Sequence, residues 1–282
     1  MAEFIKDGFS FFDGFFGEPV FNFSDLDQGK ISYLLASRIK NVSIDKTLIN
    51  CDFLEKLDFI EEIYISDSIC LKGMYHLKNL KRIVMNIENK NCLIDFSCFQ
   101  KLEVLSIDWY NNFADLSKNE NLKELSIWKF KPKSKSLAEL SLPKNLEKLY
   151  ITESNILSLE GLAHDNLKEF EGHYCNALET VKGIENFSKN LNVLILDYCR
   201  KLTAYESLCY AKSLKKLILC NCGDIPNIKW LKDLIGIKHF SFCNTKLIDG
   251  DTSPCFGIDY VSFKNLKHYN YKEEDINNKE SN

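Results

Sequence analysis

The sequence has no uninterrupted apolar run approaching the roughly 18–20 residues of a membrane span, although 45% of its 282 residues are hydrophobic. A membrane partner is therefore not expected. An excess of positive charge is also missing. Lysine and arginine number 36 against 40 acidic residues, a net charge of −4, whereas binding a phosphate backbone demands a basic footprint. Nucleic acid is set aside on that ground. The Phe-rich opening, MAEFIKDGFSFFDGFFGEPVFNF, is broken by Asp7, Asp13 and Glu18 and offers no small-residue cleavage site, so it does not read as a signal peptide. The eleven cysteines are odd in number and scattered, which argues for reduced thiols rather than a disulfide scaffold. These absences predict a cytoplasmic protein whose apolar content suffices for one large domain or two ordinary ones.

Motifs for chemistry are absent as well. The chain contains no G-x-x-x-x-G-K-[ST], no H-E-x-x-H and no G-x-S-x-G. Cys220-Asn221-Cys222 comes nearest to a metal pair, but its single-residue spacing is too short, and strand alternation sends the two sulfurs apart. His76, His164, His173, His239 and His268 do not cluster. Neither catalysis nor a metal or cofactor is expected.

What the sequence does contain is a repeat. LNVLILDYC at 191–199 returns as LKKLILCNC at 214–222, and the first-position residues are Ile39, Ile60, Leu80, Leu102, Leu122, Leu146, Leu167, Leu191, Leu214, Ile237 and Ile258. Apolar residues follow at +3 and +5, as in Leu105 and Ile107, Leu149 and Ile151, or Leu217 and Leu219; Gly172 is the exception. Such residues alternate on a short strand and share one core, while those between them point out. At +8 stand Cys175, Cys199 and Cys222 in three successive repeats, preceded by Thr47, Ser68, Glu88, Tyr110, Phe130 and Ser154. The change predicts a cysteine ladder in the second half and looser turns in the first. Return segments such as Ile156, Leu159 and Leu162, or Ile225, Ile228, Leu231 and Leu234, punctuated by Gly161, Gly183 and Pro226, suit 3-10 or brief helical turns.

Over residues 39–265 the pattern resembles the leucine-rich-repeat family, L-x-x-L-x-L-x-x-N/C-x-L, at an internalin-like length of about 22 residues. The resemblance implies an α/β solenoid: a horseshoe with a parallel sheet on its concave face and 3-10, short helical or irregular segments on its convex face. It also implies that the +8 cysteines are buried and bonded to loop backbone. Repeats bury their edges only against neighbours, so the ends need lids. Residues 1–38, with Phe4, Phe9, Phe11, Phe12, Phe15, Phe16, Phe21 and Phe23, are read as the amino-terminal cap, the other reading being an aromatic partner-binding arm. The array is expected over 39–248, a carboxy-terminal cap over 249–270 and a disordered polar tail over 271–282.

With this register, outward positions fall at +2, +4, +6 and +7. At the centre they are Asp108, Trp109, Glu124, Trp128, Lys148, Tyr150, Glu153, Glu169, Glu171, His173, Tyr174, Asp197 and Tyr198, flanked by Glu62, Tyr64 and Asp67 on one side and Lys216, His239 and Tyr260 on the other. Exposed Trp and Tyr supply contact area at interfaces, and carboxylates among them steer basic partners. The candidate protein-binding residues are therefore Asp108, Trp109, Glu124, Trp128, Tyr150, Glu153, Glu171, His173, Tyr174, Asp197 and Tyr198. Cys220 and Cys243, both at +6 of adjacent repeats, raise the question of a redox-sensitive pair.

The function this predicts is non-catalytic binding of another protein of basic character by a monomeric chain. The DGDTSP…NLKHYNY close and the irregular repeats also resemble bacterial leucine-rich-repeat immunity proteins, which implies neutralisation of a toxin domain in a toxin–antitoxin system. The alternative is a scaffold or regulatory subunit of an intracellular enzyme complex.

Overall fold

A computed structural model of the chain describes residues 2–14, 17–25, 27–45, 48, 51–66, 71–86, 94–109 and 116–278. It divides into two compact units, Met1–Leu125 and Ser126–Asn282.

The first unit opens with an antiparallel hairpin, β1 (Glu3–Lys6) and β2 (Phe9–Asp13). Its turn falls at Asp7 and Gly8, both at positive φ, a geometry that Gly adopts without strain. β3 (Pro19–Phe23) pairs antiparallel with β2 and then parallel with β4 (Asn41–Ile44). The intervening α1 (Gln28–Ser37) starts where the Asp27 carboxylate accepts the Gly29 N–H, satisfying a helix-terminal donor. Parallel strands β5 (Glu62–Ser66), β6 (Arg82–Asn86) and β7 (Val104–Asp108) follow in order. Phe11, Phe21 and Phe23 are fully buried, linked ring to ring at 5.3 and 5.0 Å, and Phe23 meets Phe53 of the first 3-10 turn at 4.8 Å. Phe15 and Phe16 lie outside the described residues.

β8 (Glu124–Trp128) contains the boundary between the units. In the second unit β9 (Lys148–Thr152), β10 (Glu169–His173), β11 (Val193–Asp197), β12 (Lys216–Cys220), β13 (His239–Ser241) and β14 (Tyr260–Ser262) are all parallel, each beside its sequence neighbour and one repeat on. First-position Leu146, Leu167, Leu191 and Leu214 are buried together with the +3 and +5 residues, against Leu137, Ile184, Leu208 and Leu231 from the 3-10 segments. Each such leucine contributes roughly 1.5–3 kcal/mol by leaving water. Short parallel strands returning through 3-10 segments, one per repeat, are the leucine-rich-repeat solenoid that the spacing predicts.

At the ends of β8 to β13 the chain makes the same turn. Lys129, Glu153, Tyr174, Tyr198, Asn221 and Asn244, all at +7, have φ between 50° and 57°, the left-handed region that non-glycine residues rarely enter. Their N–H groups donate across to the next repeat: Glu153 to the His173 carbonyl, Tyr174 to Asp197, Tyr198 to Cys220 and Asn221 to Cys243, at 2.9–3.1 Å. The +8 side chain then turns inward and donates back. Cys175 Sγ meets the Ile151 carbonyl at 3.8 Å, Cys199 that of Gly172 at 3.6 Å and Cys222 that of Leu196 at 3.3 Å. Thr245 Oγ1 makes the equivalent bond to Leu219, at 2.9 Å, and Ser154 Oγ bonds Phe130, at 2.6 Å. The cysteine ladder is thus real and also includes the Thr245 hydroxyl, whereas Ser154 bonds the carbonyl at +8 of the preceding repeat rather than that at +5, and Phe130 at +8 is buried. Thr47, Ser68, Glu88 and Tyr110 lie outside the described residues.

The disordered tail expected from residue 271 is replaced, as far as residue 278, by packed structure. α2 (Glu273–Asn277) buries Ile276. Asn277 bonds both the N–H and the carbonyl of Val261, at 3.0 and 2.7 Å, and Glu273 accepts the Phe263 N–H at 3.2 Å. Polar composition suggested a solvated segment, yet those polar groups are what β14 uses to satisfy its open edge.

Candidate functional site

The register of the second unit lines up its outward side chains in rows. One row runs Lys148, Glu169, Val193, Lys216, His239 and Tyr260; the next runs Tyr150, Glu171, Ile195, Ile218 and Ser241; the third runs Thr152, His173, Asp197 and Cys220. Above them the left-handed turns project Glu153, Tyr174, Tyr198, Asn221 and Asn244 as a rim.

The rim has an aromatic centre. Tyr174, 46% exposed, stacks on half-buried Tyr198 with ring centroids 4.7 Å apart and planes inclined by 11°. The Arg200 guanidinium lies 5.7 Å from the Tyr198 ring, within cation–π range. Beyond the tyrosines Asn221 Nδ2 donates to Asp197 Oδ1 at 2.9 Å and Asn244 Nδ2 to Asn221 Oδ1 at 3.2 Å. Trp128, 44% exposed, ends β8 on the other side of the tyrosines in sequence.

Below the rim, β10 sends three ionisable side chains to one face. His173 Nε2 donates to Glu171 Oε2 at 2.8 Å, and Lys148 Nζ lies 3.8 Å from Glu169 Oε2. Burial acts to raise the Glu171 carboxyl, but hydrogen bonds from His173 and Glu169 and the charges of His173 and Lys216 outweigh it and hold the group below its ordinary value. Glu169 shifts upward, first through burial and then through its hydrogen bond with Glu171. Two carboxyls in contact cannot both ionise freely. Of the two, Glu169 is the weaker acid.

The second unit therefore brings together Trp128, Tyr150, Glu153, Glu171, His173, Tyr174, Asp197 and Tyr198, with Tyr150, Glu171, His173 and Asp197 half-buried and Glu153 exposed. Asp108, Trp109 and Glu124 belong to the first unit. There the outward expectation fails for Asp108, which is only 6% exposed, and for Tyr64, only 5% exposed; Trp109 and Glu124 are half-buried. Asp108, like Thr152 in the same repeat position, is the last residue of its strand and is buried. Tyr64 is pushed up to about 12, chiefly by burial and next by the Glu62 charge. Asp67 lies outside the described residues.

Sequence reasoning missed Val193, Ile195 and Ile218, which are outward in register and half-buried. Their signal was legible as apolar residues at +2 and +4, where alternation calls for polar ones. It also missed the Asn221–Asn244 pair. Among the described residues no group of three His, Cys, Asp or Glu could hold a metal ion, and no helix is long and apolar enough to cross a membrane.

Repeat, register and turn together define a leucine-rich-repeat solenoid. No family model matches the sequence, and no curated protein matches it. Solved structures that are similar include an internalin of Listeria monocytogenes, at 16% identity over 89% of this chain and 83% of that one with a TM-score of 0.46. The leucine-rich-repeat domain of a type III effector, XopL, is similar at 17% identity over 71% and 78% of the two chains, TM-score 0.43. The yeast Rad7 and Elc1 complex contributes a chain at 13% identity over 86% and 77%, TM-score 0.49. The repeat and its register, rather than these likenesses, establish the fold.

Proposed function

We propose that the protein is a non-catalytic binding protein that holds another protein against the outward sheet face of its second unit. The observation that carries this reading is the Tyr174–Tyr198 stack, with Tyr174 exposed, on a rim whose backbone is bonded from repeat to repeat at Glu153, Tyr174, Tyr198 and Asn221. Aromatic side chains fixed before binding lose little entropy on association and fill partner pockets well. Val193, Ile195 and Ile218 add an apolar floor, and Glu153, Glu171 and Asp197 give the face negative charge. Those carboxylates favour a partner with a basic contact surface, by steering it at low salt. In its most specific form the reading is a cytoplasmic, monomeric immunity protein that covers a basic toxin domain. The acidic and aromatic composition of the face supports that form.

The test is calorimetric titration of the intact chain with proteins encoded beside it. Trp128→Ala combined with Tyr198→Ala is expected to weaken binding by about 2 kcal/mol or more, roughly thirtyfold. A change within a factor of two abandons the sheet face as the binding surface.

A further inference from the structure

We propose that Cys220 and Cys243 form a reversible oxidation site, at which a small-molecule disulfide of the glutathione class converts the two thiols into a bridge between neighbouring repeats. The β12–β13 register pairs Lys216 with His239, Leu217 with Phe240 and Ile218 with Ser241. Two residues further on, it sets Cys220 against Cys243, where the Asn221 N–H donates to the Cys243 carbonyl at 3.0 Å. Neighbouring strands run about 4.8 Å apart, inside the span of roughly 4.4–6.8 Å between Cα atoms that a disulfide bridges. Both side chains stand at the same outward repeat position and both are half-buried, with the Cys243 sulfur 3.9 Å from the Ser262 carbonyl, a weak contact at the outer limit for sulfur.

The other cysteines in neighbouring repeats are placed differently. Cys175, Cys199 and Cys222 are buried, with their sulfurs committed to carbonyl groups of the preceding repeat. Access therefore selects the outward pair from the inward ladder.

The exchange balances in two steps. One cysteine thiolate attacks a sulfur of glutathione disulfide, forming a mixed disulfide and releasing one glutathione thiolate. The second cysteine gives its proton to water, attacks the protein-borne sulfur and releases the second glutathione. Two cysteine thiols are oxidised while one disulfide is reduced to two thiols. Burial above all, and then the neighbouring Cys243 sulfur, pushes the Cys220 thiol up to about 11, so oxidation is slow at neutral pH and quickens in alkali. Cys220 pairs across β11–β12 with Asp197, and its carbonyl accepts the Tyr198 N–H at 3.1 Å. The bridge therefore stiffens the repeats beside the tyrosine rim.

The full chain is incubated under native conditions with oxidised glutathione, alkylated, digested and examined by mass spectrometry. The expected product is a Cys220–Cys243 linked peptide, lost on treatment with a thiol reductant. It should form about tenfold faster per pH unit between pH 7 and 9. Cys220→Ser and Cys243→Ser should each abolish it and leave glutathione on the remaining cysteine. Stable glutathione adducts on both cysteines of the unaltered chain without a bridge would overturn the proposal. So would bridging within Cys175, Cys199 and Cys222 while Cys220 and Cys243 stay unlinked.

Discussion

Tyr174 and Tyr198 stack at 4.7 Å because they hold the same left-handed turn in successive repeats, and the repeat spacing of a parallel ladder is about 4.8 Å. The ring contact is thus a consequence of backbone register. A double-mutant cycle of Tyr174→Ala and Tyr198→Ala, read by urea unfolding, should give a coupling energy of about 0.5–1.5 kcal/mol. Strict additivity would mean that the rings touch without stabilising each other.

The left-handed turn is costly for most residues that occupy it. Glu153 sits there at φ 57° with an exposed side chain, and Asn tolerates this region far better. Glu153→Asn should therefore raise stability by about 0.5–1 kcal/mol, seen as a higher unfolding midpoint. A loss of stability would show that the Glu153 side chain does more than point into solvent.

Gly172 replaces the usual large +5 residue, and a Cβ there would come within 2.9 Å of Leu196 Cδ2. Gly172→Ala should force that leucine from its place and destabilise the second unit by about 1–3 kcal/mol. Equal stability of the two proteins would mean that Leu196 has an alternative rotamer at no cost.

Glu61 bridges two lysines, Lys40 at 2.6 Å and Lys81 at 2.7 Å. Hydrogen bonds from Lys40 and then Lys81 hold its carboxyl below the ordinary value of 4.5. A depressed carboxyl contributes stability above its unfolded value and loses it as the pH falls through the folded one. Glu61→Gln should accordingly cost up to about 1 kcal/mol near neutral pH, with the difference closing below pH 4.5. Denaturation curves across that range test it; a difference that persists at pH 3 rules out ionisation as its source.

Asn277 reproduces the bonding of a further strand by holding both polar groups of Val261. Asn277→Ala should cost about 1–2 kcal/mol and lower the hydrogen-exchange protection of the Val261 amide. Unchanged protection would mean that β14 does not depend on the segment after residue 271.

The spacing of apolar residues was enough to predict the repeat strands β4 to β14 and the side chains they turn to the core, but not β1 to β3 or α1 before them. This succeeds because a period-two strand repeated every 22 or so residues leaves only one arrangement that buries every leucine. The buried role of Cys175, Cys199 and Cys222 was legible through the resemblance to the leucine-rich-repeat pattern, whereas the equivalent role of Thr245 was hidden behind a change of residue type. Tertiary structure decided how far each outward side chain stands from water. Asp108 shares its register position with the exposed Trp128, and Tyr64 with the half-buried Tyr150 and Glu171, yet both are buried. It also decided that Glu171 is the stronger acid of the Glu169–Glu171 pair, and that the polar end of the chain closes a sheet edge. Both follow from contacts between groups that no one-dimensional pattern of apolar and polar residues specifies.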